Sequence, residues 1–161
     1  MKTLLLLRHA KTAPAQPGQD DSDRPLTAEG RQAAERIGEF IGNDGLTITA
    51  ALCSPALRAR ETIDLVLSAA KLSLVPVYDS TIYEGDPPAL SELISAVEDD
   101  DEGLLVVGHN PSVEDLQTIL TGQSAHFSPG TLAKIVFETE KWGEIGSAKG
   151  TLQRIVSPKD L

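Results

Sequence analysis

Two of the three histidines and two of the seven arginines in this 161-residue chain stand next to short apolar runs or just beyond them. Arg8-His9 follows Leu4–Leu7, Gly108-His109-Asn110 follows Leu104–Val107, and Arg58 lies a few residues past the run that ends at Cys53. These residue types suit one chemistry. A guanidinium grips the oxygens of a phosphoryl group with two parallel hydrogen bonds. A neutral imidazole can attack phosphorus, and a second can hydrogen-bond an equatorial oxygen and, if protonated, offset its charge. Phosphoryl transfer spreads charge over those oxygens, so catalysis is mainly positioning and electrostatic stabilisation. Taken singly, each residue has a plainer role. A histidine at a strand end is usually structural, and Arg58, disfavoured by the helix dipole in a first turn, could pair with Glu61. Their conjunction on one edge is what points to an anion site.

That edge depends on the elements that carry the residues. Leu4–Leu7 reads as a strand covered on both faces, and Pro14 to Pro25 as a polar surface loop. Thr27 caps a helix with Ala33, Ile37, Phe40 and Ile41 at helical intervals, closed by Gly42 and Gly45. Ile48–Cys53 reads as a second strand, with Ser54 as N-cap and Pro55 in the first turn of a helix reaching Ala70. Leu74–Val77 reads as a third strand and Tyr78 to Pro88 as a loop. Leu90, Leu93, Ile94 and Val97 mark a third helix, and Asp99 to Glu102 a solvated turn. Leu104–Val107 and its Gly-His-Asn-Pro sequel repeat the strand-then-proline-then-helix order, ahead of a helix bearing Leu116, Ile119 and Leu120. Strands at Leu132–Phe137 and Thr151–Val156 close the chain. The alternation predicts an α/β protein, a three-layer α/β/α sandwich with a mostly parallel sheet, organised as one domain over 1–161. In such sheets ligands sit beyond the carboxyl ends of the strands, where helix N-termini behind Ser54 and Asn110 could add backbone N–H groups.

Composition narrows the choice of partner. A formal net charge of −10 repels phosphate backbones and anionic lipid, which argues against nucleic acid or a membrane surface as the main partner. One cysteine, Cys53, permits no internal disulfide and fits a reducing, cytoplasmic setting. The opening MKTLLLL ends at Arg8, too short an apolar run for a secretory signal or a membrane span.

Four motifs then occur in order: Arg8-His9-Ala10 after a strand; Arg24-Pro25-Leu26-Thr27 with Gly30; Ser54-Pro55 with Arg58 and Thr62; and Val107-Gly108-His109-Asn110-Pro111. Together they resemble the histidine phosphatase superfamily, most closely its short SixA-like phosphohistidine phosphatase branch, from the first strand to the helix after His109. The resemblance implies a phosphoglycerate mutase-like fold, no cofactor and no metal, and His9 as a nucleophile passing through a phosphohistidine. It implies Arg8, Arg58 and His109 around the phosphate, with Arg24 at the pocket mouth; Asn110 joins the phosphate-binding set through the helix N-terminus behind it. Ala10 replaces the usual glycine, which is harmless unless that position needs a positive φ. Ile82-Tyr83-Glu84 resembles the stretch that supplies a general acid, which makes Glu84 the candidate and Asp86 its substitute. A short chain has little room for a lid, so a phosphohistidine presented on another protein is the expected substrate. A small phosphomonoester and a non-catalytic phosphate-binding module are the alternatives.

Two other mechanisms fit less well. A cysteine phosphatase built on Cys53 would need arginine at 59, where alanine stands. A metal hydrolase using His9, His109 and the acids Asp20, Asp21 and Asp23 lacks short ligand spacings, and Arg8 would repel the cation. His126 is left outside the site.

Overall fold

The run Leu4–Leu7 is apolar without interruption because both of its faces are covered. In the computed structural model, which describes Met1–Leu161, it forms the middle of strand β1 (Lys2–Arg8). Leu5 and Leu7 enter one buried cluster and Leu4 and Leu6 another, the two-residue alternation of a strand. The same division holds in β4 (Gly103–Gly108), where Leu105 and Val107 face one way and Leu104 and Val106 the other. With β2 (Ala50–Cys53), β3 (Val77–Tyr78), β5 (Leu132–Phe137) and β6 (Thr151–Val156), these strands form one sheet in the order β3-β2-β4-β1-β5-β6. The first four run parallel, and β5 and β6 are antiparallel to their neighbours.

Helices α1 (Ala28–Asn43) and α2 (Leu57–Ala70) cover the Leu5 face through Ile37, Ile41, Ile63 and Val66. Helices α3 (Ser80–Glu84), α4 (Pro87–Ser95) and α5 (Ser112–Thr121) cover the other through Ile82, Leu90, Ile94 and Leu116. The result is the α/β three-layer architecture expected.

Four local expectations are corrected. Ser54 is not the N-cap of α2. The helix begins at Leu57 behind Ala56, with no side-chain cap, and the Ser54 hydroxyl accepts from the Ala56 amide at 3.2 Å. The third strand is displaced to Val77–Tyr78, because Pro76 has no N–H to give a ladder and Val75 lies 87% exposed at the sheet edge. Tyr78 to Pro88 is not all loop. Asp79 accepts from the Thr81 amide at 2.8 Å and caps the short helix α3. The acidic stretch is more than a solvated turn, since main-chain oxygens of Asp99 and Asp101 accept from Lys2 Nζ and the Trp142 amide donates to the Asp99 carboxylate at 2.9 Å.

The topology brings two ends together. From β1 the chain crosses to β2 on one side, and from β4 it crosses to β5 on the other, so adjacent β1 and β4 form the switch point of the parallel sheet. Their register pairs Arg8 with Gly108. The next residue on each strand is a histidine.

Candidate active site

His9 and His109 meet with ring centroids 5.1 Å apart and planes tilted by 56°. His9 is 9% exposed. Its Nδ1 lies 2.8 Å from the Ala10 carbonyl, which can only accept, so Nδ1 carries the proton and Nε2 keeps a free lone pair. The Thr12 hydroxyl donates to that carbonyl at 2.9 Å and sits 3.1 Å from Nδ1. The backbone around the ring is held from three sides. The His9 amide donates to Gly108 O, the Ala10 amide donates to Thr62 Oγ1, and Gly130 N–H reaches the carbonyls of Arg8 and His9. Gly130 has φ +82°, a backbone state that suits glycine. Ala10 is outside that region and fully buried, so the missing glycine is accommodated.

Arg8 projects from the end of β1, with Nη1 donating to Phe127 O at 2.8 Å. Arg58 rises from the first turn of α2, where Thr62 ties its carbonyl at 2.7 Å. The anion that the helix dipole demands is not Glu61, which instead accepts from Leu26 N and pairs with Arg31. It is Asp21, on the 14–25 loop. Arg58 Nη2 donates to Asp21 Oδ2 at 2.9 Å and Nη1 to the Asp21 carbonyl at 2.8 Å. Tyr83 Oη donates to the same Oδ2 at 2.7 Å, and Arg24 Nη1 to Oδ1 at 2.9 Å. The Tyr83 hydroxyl, then Arg24 and Arg58, hold the Asp21 carboxyl far below the usual carboxylate range. It stays ionised and is no proton donor. The Tyr83 ring packs edge-on against His109, with centroids 5.5 Å apart, and lies 5.8 Å from the Arg58 guanidinium.

His109 Nε2 lies 2.7 Å from Ser54 Oγ. With the serine hydroxyl donating to Nε2, the neutral ring carries its proton on Nδ1. That atom is buried without a protein partner, as are Arg8 Nε and Arg58 Nε. Buried donors left unmatched are costly. The three belong to residues that meet at one end of the sheet, where the acceptor Asn110 Oδ1 is buried and unmatched as well. Both imidazoles are neutral near pH 7. Burial, reinforced by Arg58, Arg8 and Arg24, pushes His9 down to about 4 against the pull of its Ala10 hydrogen bond. Burial, then His9 and Arg58, pushes His109 down to about 3.

Comparison with known proteins places this geometry. Residues 4–86 match the family model of the histidine phosphatase superfamily, branch 1. An uncharacterized protein of Mycobacterium tuberculosis is 35% identical over 118 residues, spanning 73% of this chain and 72% of that one. The chain belongs to the histidine phosphatase superfamily. Among solved structures, one provisionally named phosphohistidine phosphatase SixA from Nakamurella superimposes with a TM-score of 0.85 at 28% identity, over 98% of this chain and 96% of that one. The protein histidine phosphatase SixA complexed with tungstate gives 0.85 at 24% identity and shares the fold over 98% of both chains. Superfamily membership and the SixA-like fold support phosphatase activity.

Within that superfamily setting, Arg8, His9, Arg58 and His109 converge. Arg24 is held at the rim by Asp21 and by the Ala13 carbonyl, which its Nε reaches at 3.0 Å. Asn110 differs from its expected role. Its Nδ2 donates to Glu114 Oε2 at 2.9 Å and to Phe127 O at 3.0 Å, so both amide protons are engaged and the side chain tethers the carbonyl that also holds Arg8. Its peptide bond to Pro111 is cis, and α5 begins only at Ser112, behind Pro111 rather than Asn110. Glu84 ends α3, exposed and without a hydrogen bond or ion pair, whereas the Asp86 carboxylate caps α4 at Ala89 N, 3.0 Å away. His126 has an 82% exposed side chain near Glu114. Cys53 is buried, and burial raises its thiol far above the usual range, so it is no nucleophile. Reading from sequence missed Asp21 and Tyr83. The three-residue spacing of Asp21 and Arg24, and the Asp79 cap that turns Tyr83 toward His109, were the available signals.

Proposed function

We propose that the protein hydrolyses phosphoryl groups through a phosphohistidine on His9, without a metal, and that its substrate is a phosphohistidine carried by another protein. The observation that carries this reading is the tautomer of His9: a neutral ring with Nδ1–H tied to the Ala10 carbonyl presents Nε2 beside two guanidiniums that each have a buried, unmatched Nε. In the first step the Nε2–P bond forms as the bond from phosphorus to the leaving nitrogen or oxygen breaks. The guanidiniums of Arg8 and Arg58 offset the charge on the equatorial oxygens, and the neutral His109 ring hydrogen-bonds one of them. A leaving alkoxide takes a proton from Glu84, whereas the ring of a phosphohistidine protonated on its other nitrogen leaves as a neutral imidazole. In the second step water attacks phosphorus as the Nε2–P bond breaks; the water's proton returns to Glu84, or goes to solvent where Glu84 gave none, and inorganic phosphate and neutral His9 return. The guanidiniums of Arg8, Arg24 and Arg58 act on the imidazoles, and the nearby carboxylate, Asp21, is taken up by Arg24, Arg58 and Tyr83, an arrangement that suits an anion better than a metal ion.

Rapid acid-free quenching of the enzyme with radiolabelled phosphoramidate tests the proposal. The expected result is an alkali-stable, acid-labile label that is absent from His9→Ala and insensitive to chelator. A label that persists in His9→Ala, or turnover that chelator abolishes, refutes it. Glu84→Gln is expected to slow alkyl phosphates more than aryl phosphates; equal slowing removes Glu84 as the acid.

A further inference from the structure

On a chain with a net charge of −10, the groove beside the nucleophile is positive. It encloses about 500 Å³ between the segment after β1, helix α1, the turn before β5 and the C-terminal turn, and it is lined by Lys11, Arg36 and Lys159 against a single carboxylate, Glu29. Lys11 and Glu29 pair at 2.6 Å. Arg36 and Lys159 are exposed and make no ion pair or hydrogen bond within the chain. Asp160 makes no ion pair with Lys159; its Oδ2 accepts from the Ser157 amide and hydroxyl at 2.9 and 3.0 Å.

The groove shares its wall with the site. Lys11 is two residues past His9, so their Cα atoms are no more than about 7 Å apart. Ser128 and Pro129 line the groove and lie between Phe127, whose carbonyl holds Arg8, and Gly130, whose amide holds the carbonyls of Arg8 and His9. Pro158 closes the corner, its Cγ 2.8 Å from where a Cβ on Gly130 would stand. A segment lying in the groove is therefore positioned by the same backbone that positions the nucleophile.

From this we infer that the groove docks acidic side chains of the polypeptide that carries the phosphoryl group. The inference rests on the protein-phosphohistidine reading above and adds the charge of the sequence flanking the phosphorylated residue. The solvated cations lie at the rim, where each gives modest affinity and mainly selects partners by sign.

The test uses three synthetic peptides that carry one phosphohistidine and differ only in acidic, neutral or basic flanks, with p-nitrophenyl phosphate as the small substrate. The parent protein is expected to prefer the acidic over the basic peptide by about tenfold in kcat/KM. Arg36→Glu and Lys159→Glu each lower that preference about threefold, and the double variant abolishes it. Glu29→Gln releases Lys11 and raises the preference about twofold. The aryl phosphate rate stays unchanged throughout. Equal preference in parent and double variant overturns the docking site, and so does parallel loss of aryl phosphate turnover, which would place these side chains in the machinery or the fold. Hydrolysis of the aryl phosphate but of none of the peptides has a separate meaning: it overturns the phosphohistidine reading, and the docking inference falls with it.

Discussion

Strand β1 carries a buried or half-buried cation at each end, and the two are treated in opposite ways. At the amino end Lys2 is 1% exposed, yet its ammonium is met by the main-chain oxygens of Asp99 and Asp101 and lies 5.7 Å from the Trp142 ring. Trp142 Nε1 donates to the same Asp101 oxygen at 2.6 Å. At the carboxyl end Arg8 has one nitrogen on Phe127 O, while its Nε, together with Arg58 Nε and His109 Nδ1, is buried and unmatched. One end is a closed polar network that holds β1 to β4 and to the 142 turn. The other leaves donors buried without a partner, at a cost in stability, and the fold supports that cost from elsewhere. Stability and chemistry are thus separated along 7 residues of one strand.

Disrupting the open end comes first in size of effect. Arg58→Ala removes the guanidinium proposed to bind the phosphoryl oxygens and is expected to lower kcat/KM for an aryl phosphate by about 10²–10³. The same change frees Asp21 from its 2.9 Å partner and leaves Tyr83 and Arg24 on it. Steady-state kinetics with a parallel thermal melt checks this; a loss under about threefold would remove Arg58 from the anion cradle.

The imidazoles give the next effect, through pH. An unfolded histidine titrates near about 6.5, whereas His9 in the fold is pushed down to about 4. Above 6.5 both states are neutral and the group contributes nothing. Between 6.5 and 4 the unfolded chain binds a proton that the folded chain refuses, so stability falls as pH falls. The loss attributable to His9 approaches about 3 kcal/mol at pH 4. His9→Ala, compared with the parent in urea melts at pH 7 and pH 4, is expected to recover about that amount at the lower pH. An identical pH dependence in both would mean that His9 is not held neutral by burial.

Most of this contrast could be read from the residue order, and the unread part has a common cause. Arg8, His9, Arg58 and His109 sit at element ends, and those ends follow from hydrophobic runs and proline punctuation that any strand-helix alternation displays. Register then does the rest, since pairing Arg8 with Gly108 sets the two histidines side by side. Asp21 was hidden among the loop acids because no periodicity singles out one acid of Asp20, Asp21 and Asp23. Tyr83 was hidden because its orientation depends on a helix of 5 residues. The Lys2 network was hidden for a different reason: main-chain carbonyls cage the ammonium, and a carbonyl has no letter in a sequence. Ser54 was read as a cap because the Ser-Pro order favours one. Its hydroxyl serves His109 instead, a contact between residues 55 apart in sequence.

Breaking the closed end should leave chemistry intact. Lys2→Met keeps the length of the side chain and removes the charge, so the Asp99 oxygen loses its Lys2 donor in a part-buried place while the Asp101 oxygen keeps Trp142 Nε1. The expected cost is about 1–3 kcal/mol, or a fall in Tm of roughly 2–12 °C for a chain of this size. Well below the transition, specific activity should match the parent. Lowered activity without a lowered Tm would show that the two ends communicate.

The smallest effect is the sharpest for the open end. Asp21 acts on Arg58 in two opposed ways: its carboxylate and carbonyl hold the guanidinium, and its charge competes with any anion that Arg58 binds. Asp21→Asn keeps an oxygen acceptor and the main-chain contact but removes the charge. If competition dominates, the Ki for vanadate falls about threefold while kcat falls by a similar factor through a looser fork, and kcat/KM hardly moves. If holding dominates, Ki rises with KM. Because Tyr83, Arg24 and Arg58 keep Asp21 ionised well below neutrality, the split should be the same at pH 6 and pH 8. A split that changes across that range would mean that a group other than Asp21 sets it.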